Sequence, residues 1–172
     1  MRAWRILVAV GVLALAPVAW AIEPPADSPL AGLAWTVGGT WVAEVKDSAG
    51  QPMRAETKFD WGGHGRTLKF VIHFKTAGGT VTQYEGVYYW HPGKRQIALL
   101  QVDRGGNVTE SVAKLEGATL TQENQVTLAD GTTRSQRVSV TREGDDAFSF
   151  KAMVRRDGEW VDAVGFTYHR ER

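Results

Sequence analysis

The 172-residue chain contains no cysteine. Disulfides, thiolate metal ligands and cysteine nucleophiles are therefore closed to it, and its fold has to be held by burial. It has no excess of charge, with 20 Lys and Arg against 19 Asp and Glu. Nor does it show a basic stripe, which argues against nucleic acid as a partner. His64, His73, His91 and His169 show neither the i, i+2 spacing of ligands on one strand face nor His-x-x-x-His on a helix, so no metal site is expected. There is no Gly-x-Ser-x-Gly elbow. Gly62-Gly-His-Gly65 lacks the Gly-Lys-Ser/Thr ending and the following helix of a phosphate loop, and reads as a turn.

Long apolar runs are also missing, apart from Ile6 to Ala16. Arg2 and Arg5 precede that run and Ala19-Trp20-Ala21 follows it, the pattern of a secretory signal peptide over 1–21. The run is too short to span a bilayer. Cleavage after Ala21 is expected to leave one domain, residues 22–172, with no integral membrane segment and a periplasmic or secreted location. Without Arg2 and Arg5 the balance is 18 basic to 19 acidic side chains.

What the chain has in abundance is strand and tight turn. Residues 22–38 form a proline-rich lead and then a short helix: Ser28 suits an N-cap, Pro29 the first helical position, and Leu30, Leu33 and Val37 share a face before Gly38-Gly39. The barrel domain is expected over 39–172. Its centre is Tyr84 to Asp103, two apolar strands about Pro92-Gly93, where proline presets φ and glycine is expected to take φ > 0. Turn signals such as Gly78-Gly79, Asp130-Gly131 and Asp157-Gly158 separate ten strand-like segments. No segment is long enough for a crossover helix, so neighbouring strands should pair antiparallel. Leu68, Phe70, Ile72 and Phe74 alternate with Lys69, His73 and Lys75; Phe148, Phe150 and Ala152 with Ser149 and Lys151; Val164, Phe166 and Tyr168 with Thr167 and His169. One buried face on many strands predicts an all-β, single antiparallel ten-strand up-and-down barrel, since closure removes both edges.

Counting by twos also sets polar residues on the apolar face: Gln122 and Asn124, Arg134 and Gln136, Glu110 beside Val108 and Val112, and Asp162 beside Trp160 and Val164. Inward polar groups need partners or water, which a ligand cavity supplies. On this count Arg134 meets Asp162, Glu110 or a ligand's acidic group. Solvent at a barrel end or a bulge that flips the register explains the same pattern.

The short helix, Gly39-Thr40-Trp41 opening the first strand, the meander and the Tyr84-Glu-Gly…Tyr89-Trp-His-Pro92 stretch together resemble the calycin superfamily of lipocalins, fatty-acid-binding proteins and nitrobindin-like barrels. The order of features is most similar to the nitrobindin-like type and to exported bacterial proteins of that shape, over about residues 30–170. The resemblance implies that Trp41 packs near the barrel floor under a late arginine, Arg170 or Arg172. It departs from the heme-binding pattern, because Val161 to Tyr168 holds no histidine, and from the carboxylate clamp, because the last strand carries Tyr168-His-Arg170 and not Arg-x-Tyr.

Three functions follow as expectations. The first is an exported protein binding a small apolar or amphipathic ligand inside the barrel, with no cofactor. Phe70, Ile72, Phe74, Phe150 and Phe166 would line the cavity, and Arg134, Gln136 and Asp162 would orient the ligand. The second is a barrel filled by side chains, acting as an envelope interaction module through Tyr89-Trp90-His91. The third is an enzyme using Glu110 or Asp162 in acid–base chemistry.

Overall fold

The computed structural model describes residues 23–47 and 49–172; the expected signal segment lies outside them. Ten strands follow in chain order: β1 (Thr40–Lys46), β2 (Pro52–Gly62), β3 (Thr67–Thr76), β4 (Gly79–His91), β5 (Gln96–Asp103), β6 (Val108–Glu116), β7 (Thr119–Thr127), β8 (Thr133–Arg142), β9 (Ala147–Arg156) and β10 (Glu159–Glu171). Each pairs antiparallel with its chain neighbours, and β1 pairs with β10, so the sheet is a closed barrel. The alternation in β3, β9 and β10 drives closure, because curling the sheet buries its single apolar face without leaving an edge.

Turn chemistry sets the hairpins. At Asp157-Gly158 both residues have positive φ, 50° and 89°, as a type I′ turn requires. The turn at Pro92 differs from expectation. Gly93 does not take positive φ; the left-handed residue is Arg95, at φ 52°. The Lys94 N–H donates to His91 Nδ1 at 3.2 Å. Proline and that bond hold the first corner, so the left-handed residue comes last, where the chain must rejoin β5.

The expected N-terminal helix is a 3-10 helix, Ala31–Thr36. Its bonds span three residues, as in Leu33 N–H to Leu30 O and Val37 N–H to Ala34 O. A segment this short gains little from an α ladder, which leaves four groups unpaired at each end. It plugs one end of the barrel. Leu30 and Leu33 are buried against Trp61, Leu68, Ile97 and Leu120. Trp35 meets Trp41 and Phe148 edge-on at 5.7 and 5.5 Å.

Arg170 locks the plug. Its guanidinium lies 4.3 Å from the centre of the Trp41 ring. It donates to the carbonyls of Val37 (2.9 Å), Gly38 (2.8 Å), Asp145 (3.1 Å) and Trp35. Trp41 Nε1 donates to Thr36 O at 2.6 Å. Of the two late arginines, Arg170 therefore covers Trp41, while Arg172 pairs with Asp146 at 2.9 Å. This end is the floor. The loops after β1, β3, β5, β7 and β9 surround the opposite end, the mouth.

Candidate ligand cavity

The barrel is hollow. Between floor and mouth lies a cavity of about 630 Å³, within the roughly 300–1,000 Å³ usual for small-molecule sites. Its apolar wall comes from the inward residues of β2, β3, β9 and β10: Phe59, Phe70, Ile72, Phe74, Phe150 and Phe166. Phe150 stacks on Phe166 at 5.1 Å, and Phe70 leans on Tyr88 at 5.5 Å. Phe70 has its place because β4 carries Gly86 opposite it. A Cβ there would stand 2.3 Å from Phe70 Cζ.

The facing wall sets uncharged polar groups among aliphatic ones, such as Leu99, Leu120 and Val138. Gln101 (β5), Thr109 (β6), Gln122 and Asn124 (β7) and Gln136 (β8) all line the cavity. Gln122 Nε2 donates to the Tyr88 hydroxyl at 2.6 Å. Burial pushes the Tyr88 phenol up to about 12, against the lowering effect of that bond. Thr57 Oγ1 donates to the Tyr168 hydroxyl at 3.2 Å. Tyr168 is also raised by burial, and Tyr84 by burial and then by the Asp103 carboxylate. Asn124 Nδ2 donates to Gln136 Oε1 at 3.0 Å. Asn124 Oδ1, by contrast, is buried without a hydrogen-bond partner among the described residues.

Among the described residues, charge reaches the cavity at the mouth, through Lys46, Asp47 and Asp103. Asp103 is engaged by its own loop, accepting from Gly105 N (2.8 Å), Asn107 N (3.0 Å) and Asn107 Nδ2 (2.7 Å). The wall itself opens between β1 and β10. Their pairing runs only from Thr40↔Glu171 to Val42↔His169. Beyond it, Val45 and Lys46 on one side and Val164 and Phe166 on the other border the cavity, and Val164 is 45% exposed.

Phe70, Ile72, Phe74, Gln136, Phe150 and Phe166 thus meet on one cavity; Arg134 and Asp162 do not join them. Arg134 shares the register of Gln136 but sits near the mouth end of β8, exposed. Asp162 faces outward, because the pairing of β10 with β9 shifts between Asp162 and Val164. The extra residue, Ala163, is a β-bulge that reverses the faces before it. Asp162 accordingly pairs with Lys151 on the outer wall at 2.9 Å, and Trp160 lies under the Arg137 guanidinium, 4.6 Å from the ring centre. The expected meeting of Arg134 with Asp162 does not occur.

β6 is turned over as well. Buried Thr109, Ser111 and Ala113 take the inner face and exposed Glu110 the outer, since β6 follows the inward Leu99 and Gln101 of β5. Tyr84, Tyr88, Gln83 and Gln101 are cavity residues that alternation alone does not assign. The signal for Tyr88 was its place across from Leu68 once β3 and β4 are paired. A second hollow, among Ser139, Thr141, Ser149 and Lys151 of the outer wall, is a shallow surface depression. Among the described residues, no cluster of three His, Asp or Glu side chains is placed to hold a metal ion.

No protein-family model matches the chain, and no curated protein matches it. Among solved structures the chain is similar to Rv2717c from M. tuberculosis, with a TM-score of 0.56 and 17% identity over 83% of this chain and 97% of that one. At that identity the likeness is one of fold.

Proposed function

We propose that the protein is an exported carrier of calycin type that holds a small, largely apolar molecule inside its barrel. The observation that carries this reading is the 630 Å³ cavity with phenylalanines on one wall and amides set among aliphatic side chains on the other. Each 100 Å² of apolar surface taken from water there contributes about 2.5 kcal/mol, and a few placed polar groups select among candidates. Kinship with calycins is supported by Arg170 lying over Trp41 at the floor. Export to the periplasm or beyond rests on Arg2, Arg5, the apolar run after them and Ala19-Trp20-Ala21.

The cavity favours a hollow barrel over one filled by side chains. Acid–base catalysis by Glu110 or Asp162 needs inward carboxylates, and both residues stand on the outer wall. Histidine ligation of heme within the barrel has no donor among the described cavity residues; His169 lies beside Val42 on the outer face.

A thermal-shift screen of residues 22–172 against lipids, isoprenoids and hemin tests the carrier reading. A ligand at 100 times its Kd adds about 2.7 kcal/mol to the native state, so at least one apolar amphiphile should raise the Tm by several degrees. A screen in which no apolar compound stabilises the protein would overturn it.

A further inference from the structure

We infer that the ligand enters and leaves the barrel sideways, through the slit between β1 and β10, and not past the loops of the mouth. The inference rests on the cavity being a binding site, and it adds the route into it. On its β2 side, β1 is paired from Trp41↔Thr57 to Lys46↔Pro52. On its β10 side the pairing stops at Val42↔His169. Ala43 to Lys46 are therefore paired with β2 alone, and Val164 to Tyr168 with β9 alone. No ladder pairing crosses between these two segments. Widening the slit costs far less than parting β2 from β3, whose ladder runs from Arg54↔Lys75 to Gly62↔Thr67.

The side chains along the slit suit an apolar passenger. Val45 and Phe166 would face each other if the register of Val42↔His169 continued, and both are half-buried and line the cavity. Val164 also lines the cavity, yet it is 45% exposed, because no strand is paired beside it. Phe166 stacks on Phe150 at 5.1 Å, so the apolar path continues from the slit into the phenylalanine wall. At the mouth the same molecule would pass Lys46, Asp47 and Asp103, whose hydration it would have to displace. The outer approach is bare, since β10 carries Ala163 and Gly165 on either side of Val164. An open strand edge invites pairing with another chain, and bulges guard against that. The bulge at Ala163 bends this edge, which makes it a poor template for a second chain and leaves it open to a small molecule.

Tying the slit shut tests the route. The chain has no cysteine of its own, so a short bis-maleimide finds only the residues introduced for it. Glu44→Cys with Thr167→Cys places one thiol on each edge, on the outer face, where the linker stays out of the cavity. Asp60→Cys with Lys69→Cys is the control, across the paired and exposed outer face of β2 and β3. Stopped-flow fluorescence with the uncharged probe N-phenyl-1-naphthylamine reads association and dissociation, before and after linking. Linking the slit should lower both rate constants by about tenfold or more while Kd stays within about twofold, because a blocked route raises the barrier equally from both sides. Linking the control pair should leave both rates as they were. Unchanged rates across the linked slit overturn the inference and leave the carrier reading standing. Equal slowing in the control overturns it as well, since stiffness of the sheet then explains the effect. A weaker Kd without slower dissociation makes the slit part of the site and not the route, and also overturns it. Should the double substitution unfold the protein, a polyethylene glycol maleimide on Glu44→Cys alone covers the slit without tying it, and the same two rates should fall. Failure of the probe to bind the unlinked protein removes the inference and the carrier reading together.

Discussion

At the scale of single residues, a few side chains make the hollow possible. Gly86 is one: its missing Cβ is the space that Phe70 occupies, and Phe70 is 5% exposed. Gly86→Ala should force the ring off its rotamer and lower stability by about 1–3 kcal/mol, the usual range for overpacking, read as a fall in the urea midpoint at unchanged slope. Tyr88 is another. Its folded phenol holds its proton to about pH 12, while in the unfolded chain it releases near 10. The folded state is thus favoured below pH 10, and that advantage is lost as pH rises toward 12. Two pH units correspond to about 3 kcal/mol, and the upward shifts of Tyr168 and Tyr84 act with the same sign. Urea unfolding should weaken steeply between pH 9 and pH 11.5, with the Tyr88 share of the tyrosinate absorbance appearing only as the chain unfolds. Tyr88→Phe should flatten the slope while lowering stability at pH 8 by roughly 1–3 kcal/mol, because Gln122 Nε2 loses its partner.

Elements behave according to how cleanly their residues alternate. β3 and β9 alternate apolar with polar apart from Val71, Ala147 and Met153, so their inward residues were legible by counting, and the phenylalanine wall came with them. β10 broke the count because Ala163 is an extra residue, and nothing about an alanine between Asp162 and Val164 announces a bulge. β6 misled for a different reason. Its valines face out and its Thr109, Ser111 and Ala113 face in, so a rule placing the more apolar residues inside reads the strand backwards. β5 hides its register in the run Ile97-Ala-Leu-Leu100, of which the structure buries Ile97 and Leu99 and leaves Leu100 41% exposed. The floor was legible in part. Gly39-Thr-Trp41 and a late arginine marked it, but the 3-10 form of its plug was not readable, because Leu30, Leu33 and Val37 suit either helix. The plug depends on planar donors that reach several carbonyls at once, which an ammonium cannot reproduce. Arg170→Lys should therefore lower stability by about 2 kcal/mol or more, and hydrogen exchange should quicken at the amides of Leu33 and Val37 before it quickens in the sheet.

For the molecule as a whole, closure and hollowness pull in opposite directions. Curling ten strands into one sheet buries the apolar face, yet a cavity of about 630 Å³ remains, with Phe150 and Asn124 among its lining. Side chains that border the space forgo dispersion contacts that a solid core would make. Stability is therefore being withheld at this place, and filling the space should recover some of it while removing room for a ligand. Thr109→Phe tests both halves at once, because Thr109 is 6% exposed and borders the cavity from β6. The ring should enter the cavity. The variant is expected to match or exceed wild-type stability by up to about 1 kcal/mol, and to bind any amphiphile identified by thermal shift at least tenfold more weakly. Loss of stability by more than about 2 kcal/mol, the signature of overpacking, would show instead that the interior of the folded protein in solution is already full, and a carrier with a full interior has nothing to carry.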